Sequence, residues 1–299
     1  MGEVMGVQND MNRENAFLDL ARLGKHRWQH YLGSFFLIAA LWQILGATPY
    51  LILLLLFPSA GEIWRFTALT FSFVFLIIGL YLAVTLIHRR KFVTLITPTL
   101  LVSWKRIFES FAVWFVLVAI VSIVDVLIRP DFYTLSFNPV PWFLFTLVSL
   151  VFVTIQSFSE ELLFRGYLLQ ALGLLTRNKV LLLLISGILF AVPHFLNPEM
   201  QSDFALMALY YFATGVFFTA LVLKDNRLEL ALGAHAANNL FSVSLINYEG
   251  SVLETPAILI ANAIDPVSNL MSFIAAAGLA YLWFFVIRKP KQQVVDTYQ

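Results

Sequence analysis

The sequence predicts an all-α fold: a polytopic membrane protein built as a bundle of about eight transmembrane helices. Three observations carry this. First, 60% of the 299 residues are hydrophobic and only 12% are charged, about half the charged share of a typical soluble chain. Second, eight apolar runs read as membrane helices, at about residues 31–57, 66–87, 108–128, 142–173, 179–194, 204–223, 228–247 and 266–287, since a span needs about 20 apolar residues. Third, the cations alternate between the connections. Arg65 and Arg129 fall in odd-numbered loops, and the other 17 Lys and Arg fall in the termini and even-numbered loops. The positive-inside rule then places both termini in the cytoplasm. With no organelle address visible, the expected location is a prokaryotic plasma membrane.

Residues 1–30 are polar and hold Arg13, Arg22, Lys25 and Arg27. They contain no short apolar core with a small-residue cleavage site, so a cytoplasmic N-terminal segment is expected rather than a cleaved signal. The first run contains Gly46 and Pro49, which predict a kink or a split there. Residues 92–107 are less apolar and contain Pro98, Trp104, Lys105 and Arg106. They read equally as an interfacial segment or a plain loop. Tyr31, Trp64, Trp104 and Trp142 at span ends fit an aromatic belt. Residues 31–290 read as one membrane domain with its polar core at 142–247, and residues 291–299 read as a disordered cytoplasmic tail. The chain has no cysteine, which excludes disulfides and thiol chemistry.

Ionisable residues inside the spans are few. Asp125 and Arg129 are four apart and read as a structural pair. Glu109 and Glu229 sit at helix starts, where an acid suits the helix dipole. The stretch Ser159-Glu160-Glu161-Leu162-Leu163-Phe164-Arg165 differs, because it places two acids and an arginine in a long apolar run. An acid at mid-membrane costs about 2.5–3.5 kcal/mol even on the lenient insertion scale. Glu161 and Arg165 can pair at i,i+4. Glu160 points about 100° away, on the face of Gln156 and Phe164, without a local cation. Two readings of Glu160 stay open: a general base, or a packing partner for another helix.

His194 closes Phe190-Ala191-Val192-Pro193-His194, and His235 opens His235-Ala236-Ala237-Asn238-Asn239, so His235 and Asn239 share a helical face. Together with Glu160 these supply a base, a proton carrier and two oxyanion donors, the parts for water attack on a carbonyl. Glu160, His194 and His235 also match a three-ligand zinc set in residue type, without the HExxH spacing.

At these residues the chain resembles the CAAX protease and bacteriocin-processing (CPBP, or Abi) family of intramembrane proteases, whose pattern is EExxxR, FxxxH and HxxxN in that order. Here the pattern is Glu160-Glu161 to Arg165, Phe190 to His194, and His235 to Asn239. The resemblance implies a membrane endopeptidase in which Glu160 and His194 activate water and His235 and Asn239 hold the oxyanion. Glu161 and Arg165 would brace the site, and the reaction cavity would open toward the cytoplasm. It implies a glutamate mechanism with no required cofactor, with zinc on Glu160, His194 and His235 as the minor option. The expected partners are a peptide or membrane-protein substrate and membrane lipids, not nucleic acid. The competing classes are a transporter or proton relay, weakened by the lack of an inverted repeat, and a non-catalytic immunity or partner-binding protein. One difficulty accompanies the scheme: straight-helix counting puts His194 far from the cytoplasmic end of its span and His235 only about two turns into its own.

Overall fold

A computed structural model describes residues 16–288. Arg13, Lys289, Lys291 and the tail expected at 291–299 lie outside the described residues. Eight helices follow one another, numbered α1 Trp28–Leu56, α2 Glu62–Ile87, α3 Trp104–Ile128, α4 Pro139–Leu175, α5 Lys179–His194, α6 Phe204–Asp225, α7 Glu229–Ser244 and α8 Pro266–Ile287. Six of them are long and apolar enough to cross a membrane, and the protein is an integral membrane protein. The exceptions correct the expectation of eight full spans: α5 and α7 have 16 residues each, about 24 Å against a hydrocarbon core of about 30 Å.

Their lengths have local causes. Asn178 starts α5 by accepting from the backbone N–H of Val180 and Leu181 (2.9 and 3.2 Å), the usual way an N-cap satisfies free donors. At its far end, α5 stops after Pro193-His194. Helix α7 is enclosed by its neighbours rather than exposed to lipid: Glu229 through Ala237 are all buried. Its small residues permit this. A Cβ on Gly233 would stand 2.1 Å from the Ile107 carbonyl oxygen of α3, so only glycine allows that crossing.

The segment before α3 explains where α7 begins. Phe92–Leu95 form a single 3-10 turn, and Thr94, Leu95 and Thr97 are buried. The Ile96 carbonyl accepts the Leu228 N–H at 2.8 Å. Glu229, fully buried, accepts from the Ser103 backbone N–H (2.8 Å) and Arg106 Nε (2.9 Å). Residues 92–103 are therefore neither a surface helix nor a plain loop, but a plug that seats the start of α7. Helix α3 correspondingly begins at Trp104, four residues earlier than expected.

Other elements follow the sequence closely. Helix α1 widens at Ala40–Leu45 and restarts at Thr48 with Pro49 in its first turn, so the kink lies where Gly46 and Pro49 predicted it. The N-terminal residues that are described are docked: Phe17, Leu18 and Leu20 are buried, and Leu18 lies against Gly173 of α4. A small sheet was not foreseen. Strands β1 Tyr133–Leu135, β2 Ile246–Tyr248 and β3 Leu259–Ala261 pair in the order β1-β3-β2, antiparallel then parallel. They gather the 129–138 and 245–265 connections at one end of the bundle. There Arg129 bonds Asp125 (2.7 Å) and also Asp265 (2.5 Å) and Ser268 (2.9 Å).

The opposite end is basic and tightly tied. Arg90 donates to Gln170 (2.6 Å) and the Leu20 carbonyl (3.0 Å), Arg177 pairs with Asp19 (2.5 Å), and Arg288 pairs with Glu109. His88, 1% exposed, donates from Nδ1 to the Lys25 carbonyl (2.6 Å) and accepts the Tyr167 hydroxyl at Nε2 (2.8 Å). Burial pushes its imidazole down to about 4 from 6.5.

Two predictions follow from this packing. The unfolded chain protonates His88 near pH 6.5 while the folded chain does not. The melting temperature therefore falls as pH drops from 6.5 toward 4, and His88→Gln, although less stable at neutral pH, flattens that slope in detergent melts. Gly233→Ala is expected to cost about 1–3 kcal/mol by overpacking and to lower the melting temperature. Gly278→Ala, with nothing within 4 Å of the added carbon, leaves it unchanged.

Candidate active site

The site is assembled where α4 and α7 run antiparallel with matched four-residue spacing. Ser157 and Glu161 of α4 face Asn239 and His235 of α7: Asn239 Nδ2 donates to Ser157 Oγ at 3.1 Å, and His235 Nδ1 donates to Glu161 Oε1 at 2.8 Å. Immediately after Glu161 the helix widens into a π-helical stretch, Leu162–Leu168, a distortion found disproportionately at functional sites.

Glu161 carries two partners. Its Oε1 accepts from Arg165 Nη1 (2.7 Å) as well as from His235, and both Glu161 and Arg165 are fully buried. Arg165 Nη2 also reaches the Gly215 carbonyl at 3.3 Å, and the guanidinium lies 4.3 Å from the centre of the Phe190 ring. Glu161 therefore does more than pair with Arg165, the role the spacing suggested: it holds Nδ1 and so orients the His235 ring. With Nδ1–H committed to Glu161, His235 Nε2 faces Glu160 Oε2 at 3.7 Å, beyond a direct hydrogen bond. Glu160 is 7% exposed and accepts from Gln156 Nε2 at 3.3 Å. It has no arginine or lysine partner among the described residues.

His194 donates Nδ1–H to its own helix at the Phe190 carbonyl, 2.7 Å, which leaves Nε2 free. Its ring stacks on Tyr211 of α6 with centroids 4.2 Å apart and planes at 25°. Glu160 and His235 both act on it electrostatically. Phe190 stands between the histidines, 4.7 Å from His194 and 6.0 Å from His235. The aromatic residue four before His194 is thus a wall shared by His194, His235 and Arg165.

Every residue singled out in the sequence is in this cluster. Glu160, Glu161, Arg165 and His235 are linked by contacts, Asn239 lies one turn from His235 and bonds Ser157, one turn from Glu161, and His194 joins them across Phe190. The depth difficulty disappears because α4 runs on for 37 residues. Glu160 and His194 each lie about 22 Å from the Leu175 and Lys179 ends of their helices, and α7 starts inside the bundle.

Reasoning from sequence missed Glu199, on the Pro198–Gln201 turn. It sits in a polar connection with no motif around it, yet it is 4% exposed and accepts the Tyr211 hydroxyl at 2.5 Å. Ser157 was also missed; its one sequence signal was the four-residue step to Glu161.

Among the described residues no three His, Asp or Glu side chains are grouped so as to hold a metal ion. Both Nδ1 atoms are committed, to Glu161 and to the Phe190 carbonyl. Those bonds leave Nε2 of each histidine open, which suits a proton carrier and a zinc ligand alike.

A cavity of about 150 Å³ lies toward the sheet, walled by Trp114, Tyr210, Asn238, Asn269 and Ser272, with Arg129 at its rim. None of Glu160, His194, His235 or Asn239 lines it. It is distinct from the reaction cavity expected from the sequence, although Asn238 bonds the neighbouring Asn239 at 3.2 Å.

A membrane-embedded bundle with a buried glutamate–histidine–asparagine cluster defines the class: an integral membrane protein with a polar centre fit for acid–base chemistry. The comparisons narrow it. Residues 141–241 match the family model described as Type II CAAX prenyl endopeptidase Rce1-like. The chain is 39% identical over 227 residues to the uncharacterized protein YyaK of Bacillus subtilis (strain 168), covering 74% of this chain and 76% of that protein. No solved structure matches it. The chain belongs to the Rce1-like (CPBP) family.

Replacing Arg165 tests the buried triad. Arg165→Met strands Glu161 without its cation, at an expected cost of about 3–5 kcal/mol, read as loss of monodisperse folded protein or a large fall in melting temperature. Asn239→Ala removes one donor to a hydroxyl and is expected to fold normally.

Proposed function

We propose that this protein is an intramembrane endopeptidase that hydrolyses peptide bonds with a water activated by Glu160 and His194. The single observation that carries the reading is the pairing of two carboxylates with His235. Glu161 orients the ring, and Glu160 stands 3.7 Å from its far nitrogen without an arginine or lysine ion pair among the described residues. That division leaves Glu160 available as a base. Family membership supports the reaction class.

In the proposed reaction, Glu160 takes a proton from water as the water oxygen bonds to the scissile carbonyl carbon. His194 Nε2, free of internal partners, helps hold that water. The carbonyl oxygen becomes an oxyanion received by His235, protonated at Nε2 and balanced by Glu161, and by the second N–H of Asn239 Nδ2. Collapse breaks the C–N bond, and the proton held at Glu160 passes to the leaving amine. A dry, preorganised donor pair of this kind is worth about 10²–10³ in rate per donor. No metal takes part in this scheme. We further propose that the basic end of the bundle, with both termini, faces the cytoplasm of a prokaryotic cell, and that the substrate is a peptide or a membrane-proximal segment.

The test is cleavage of a quenched fluorescent peptide library, with and without a C-terminal farnesyl-cysteine, by detergent-purified protein. Glu160→Gln, His194→Ala and His235→Ala should each lower kcat/KM by at least about 100-fold, and wild-type turnover should survive a strong zinc chelator. Turnover lost to the chelator and restored by zinc would overturn the metal-free scheme. Full activity in Glu160→Gln would overturn the assignment of the base.

A further inference from the structure

Glu199 has no place in the reaction just described, yet the fold buries it beside the site. Burying a carboxylate is costly unless a cation or several donors compensate. Glu199 has no arginine or lysine partner among the described residues, and its Oε2 is buried without a hydrogen bond. Its Oε1 accepts from the Tyr211 hydroxyl (2.5 Å) and from Asn197 Nδ2 (3.1 Å). Asn197 Nδ2 lies 3.1 Å from the Tyr211 oxygen as well, which closes a triangle. The backbone joins the triangle to the site, because the Asn197 N–H donates to the His194 carbonyl at 3.0 Å. Tyr211 in turn presents its ring flat against His194.

The rest of the His194 surroundings leaves this side as its brace. Phe190 packs on it at a tilt of 42°, and Glu160, His235 and Glu199 act on it through charge. The ring's one hydrogen bond, to the Phe190 carbonyl, anchors Nδ1 alone. The face of Tyr211 lies against the imidazole, and the Tyr211 hydroxyl is held by Glu199 and by Asn197.

We infer that Glu199 is a positioning residue: through the Tyr211 hydroxyl it locks the aromatic face that aims His194 Nε2 at the reacting water. The inference rests on the proposed hydrolytic role of His194. It accounts for a buried acid within five residues of His194. The bond to Tyr211 needs an acceptor at Oε1, so a glutamine serves almost as well as a glutamate, while an alanine does not.

Two measurements on the full-length protein in detergent test this. In the first, Tyr211→Phe and Glu199→Ala are each expected to lower kcat about 10-fold with KM within about 2-fold, and Glu199→Gln to stay within about 3-fold of wild type. The double variant Tyr211→Phe/Glu199→Ala should be no slower than either single variant, because both changes cut one link. Unchanged kcat in Tyr211→Phe, or losses that multiply to about 100-fold in the double variant, would overturn the inference.

The second measurement needs no substrate. The His194 ring nitrogens, assigned by their absence in His194→Ala, should give sharp ¹⁵N NMR signals in wild type and Glu199→Gln. They should broaden in Tyr211→Phe and Glu199→Ala at unchanged melting temperature. Unaltered signals would overturn the clamp. Broadening in a protein that cleaves nothing would retain the clamp and count against the protease reading instead.

Discussion

The bond network around Glu161 is the constraint on which the rest of this protein depends. One carboxylate oxygen accepts from Arg165 on its own helix and from His235 on another, and all three groups are out of contact with water or lipid. A buried charge is tolerable only when its partners stay in place, so the network fixes the distance and rotation of α4 against α7. Arg165 extends the constraint to α6 through the Gly215 carbonyl and to α5 through the Phe190 face. Four helices are therefore referenced to one ion pair. The packing around it obeys the same demand for close approach: Gly187 and Gly215 bring α5 and α6 to within contact of their backbones.

The consequence is a division of labour between neighbouring residues of identical chemistry. Glu161, whose Oε1 accepts from both Arg165 and His235, holds the two helices together and orients His235. Glu160, one position earlier, accepts from Gln156 at 3.3 Å and makes no ion pair with an arginine or lysine among the described residues. The same step recurs on α6 and α7. Tyr210 and Asn238 face the cavity near the sheet, while Tyr211 lies on His194 and Asn239 bonds Ser157. Helical rotation of about 100° per residue is what lets adjacent side chains serve two different environments.

Enclosure of α7 follows from the same geometry. A helix that spanned the bilayer would carry its cluster at a depth set by lipid thickness. A 16-residue helix seated on Ile96, Ser103 and Arg106 carries it at a depth set by protein contacts. The plug before α3 and the sheet after α7 satisfy the backbone groups freed at its two ends, which lipid would leave unpaired at a cost of several kcal/mol each.

Most of the architecture was legible in the sequence. Hydropathy and the alternation of cations determined eight helices and which loops share an end, because apolar length and loop charge are local properties of the chain. The three motifs likewise marked the residues that the fold gathers into the candidate site, because the expense of a charge in an apolar run marks it wherever the run lies. Tertiary structure alone decided the rest. That α5 and α7 fall short of a full span, that residues 92–103 form a plug, and that three distant tripeptides form a sheet all depend on partners far away in sequence. The same holds for the functional split between Glu160 and Glu161, whose spacing to Arg165 revealed one partner while His235, 74 residues on, supplied the second. Glu199 looked like any acid in a polar loop, since burial is conferred by what folds over a residue, and nothing in Asn197-Pro198-Glu199 says that Tyr211 will.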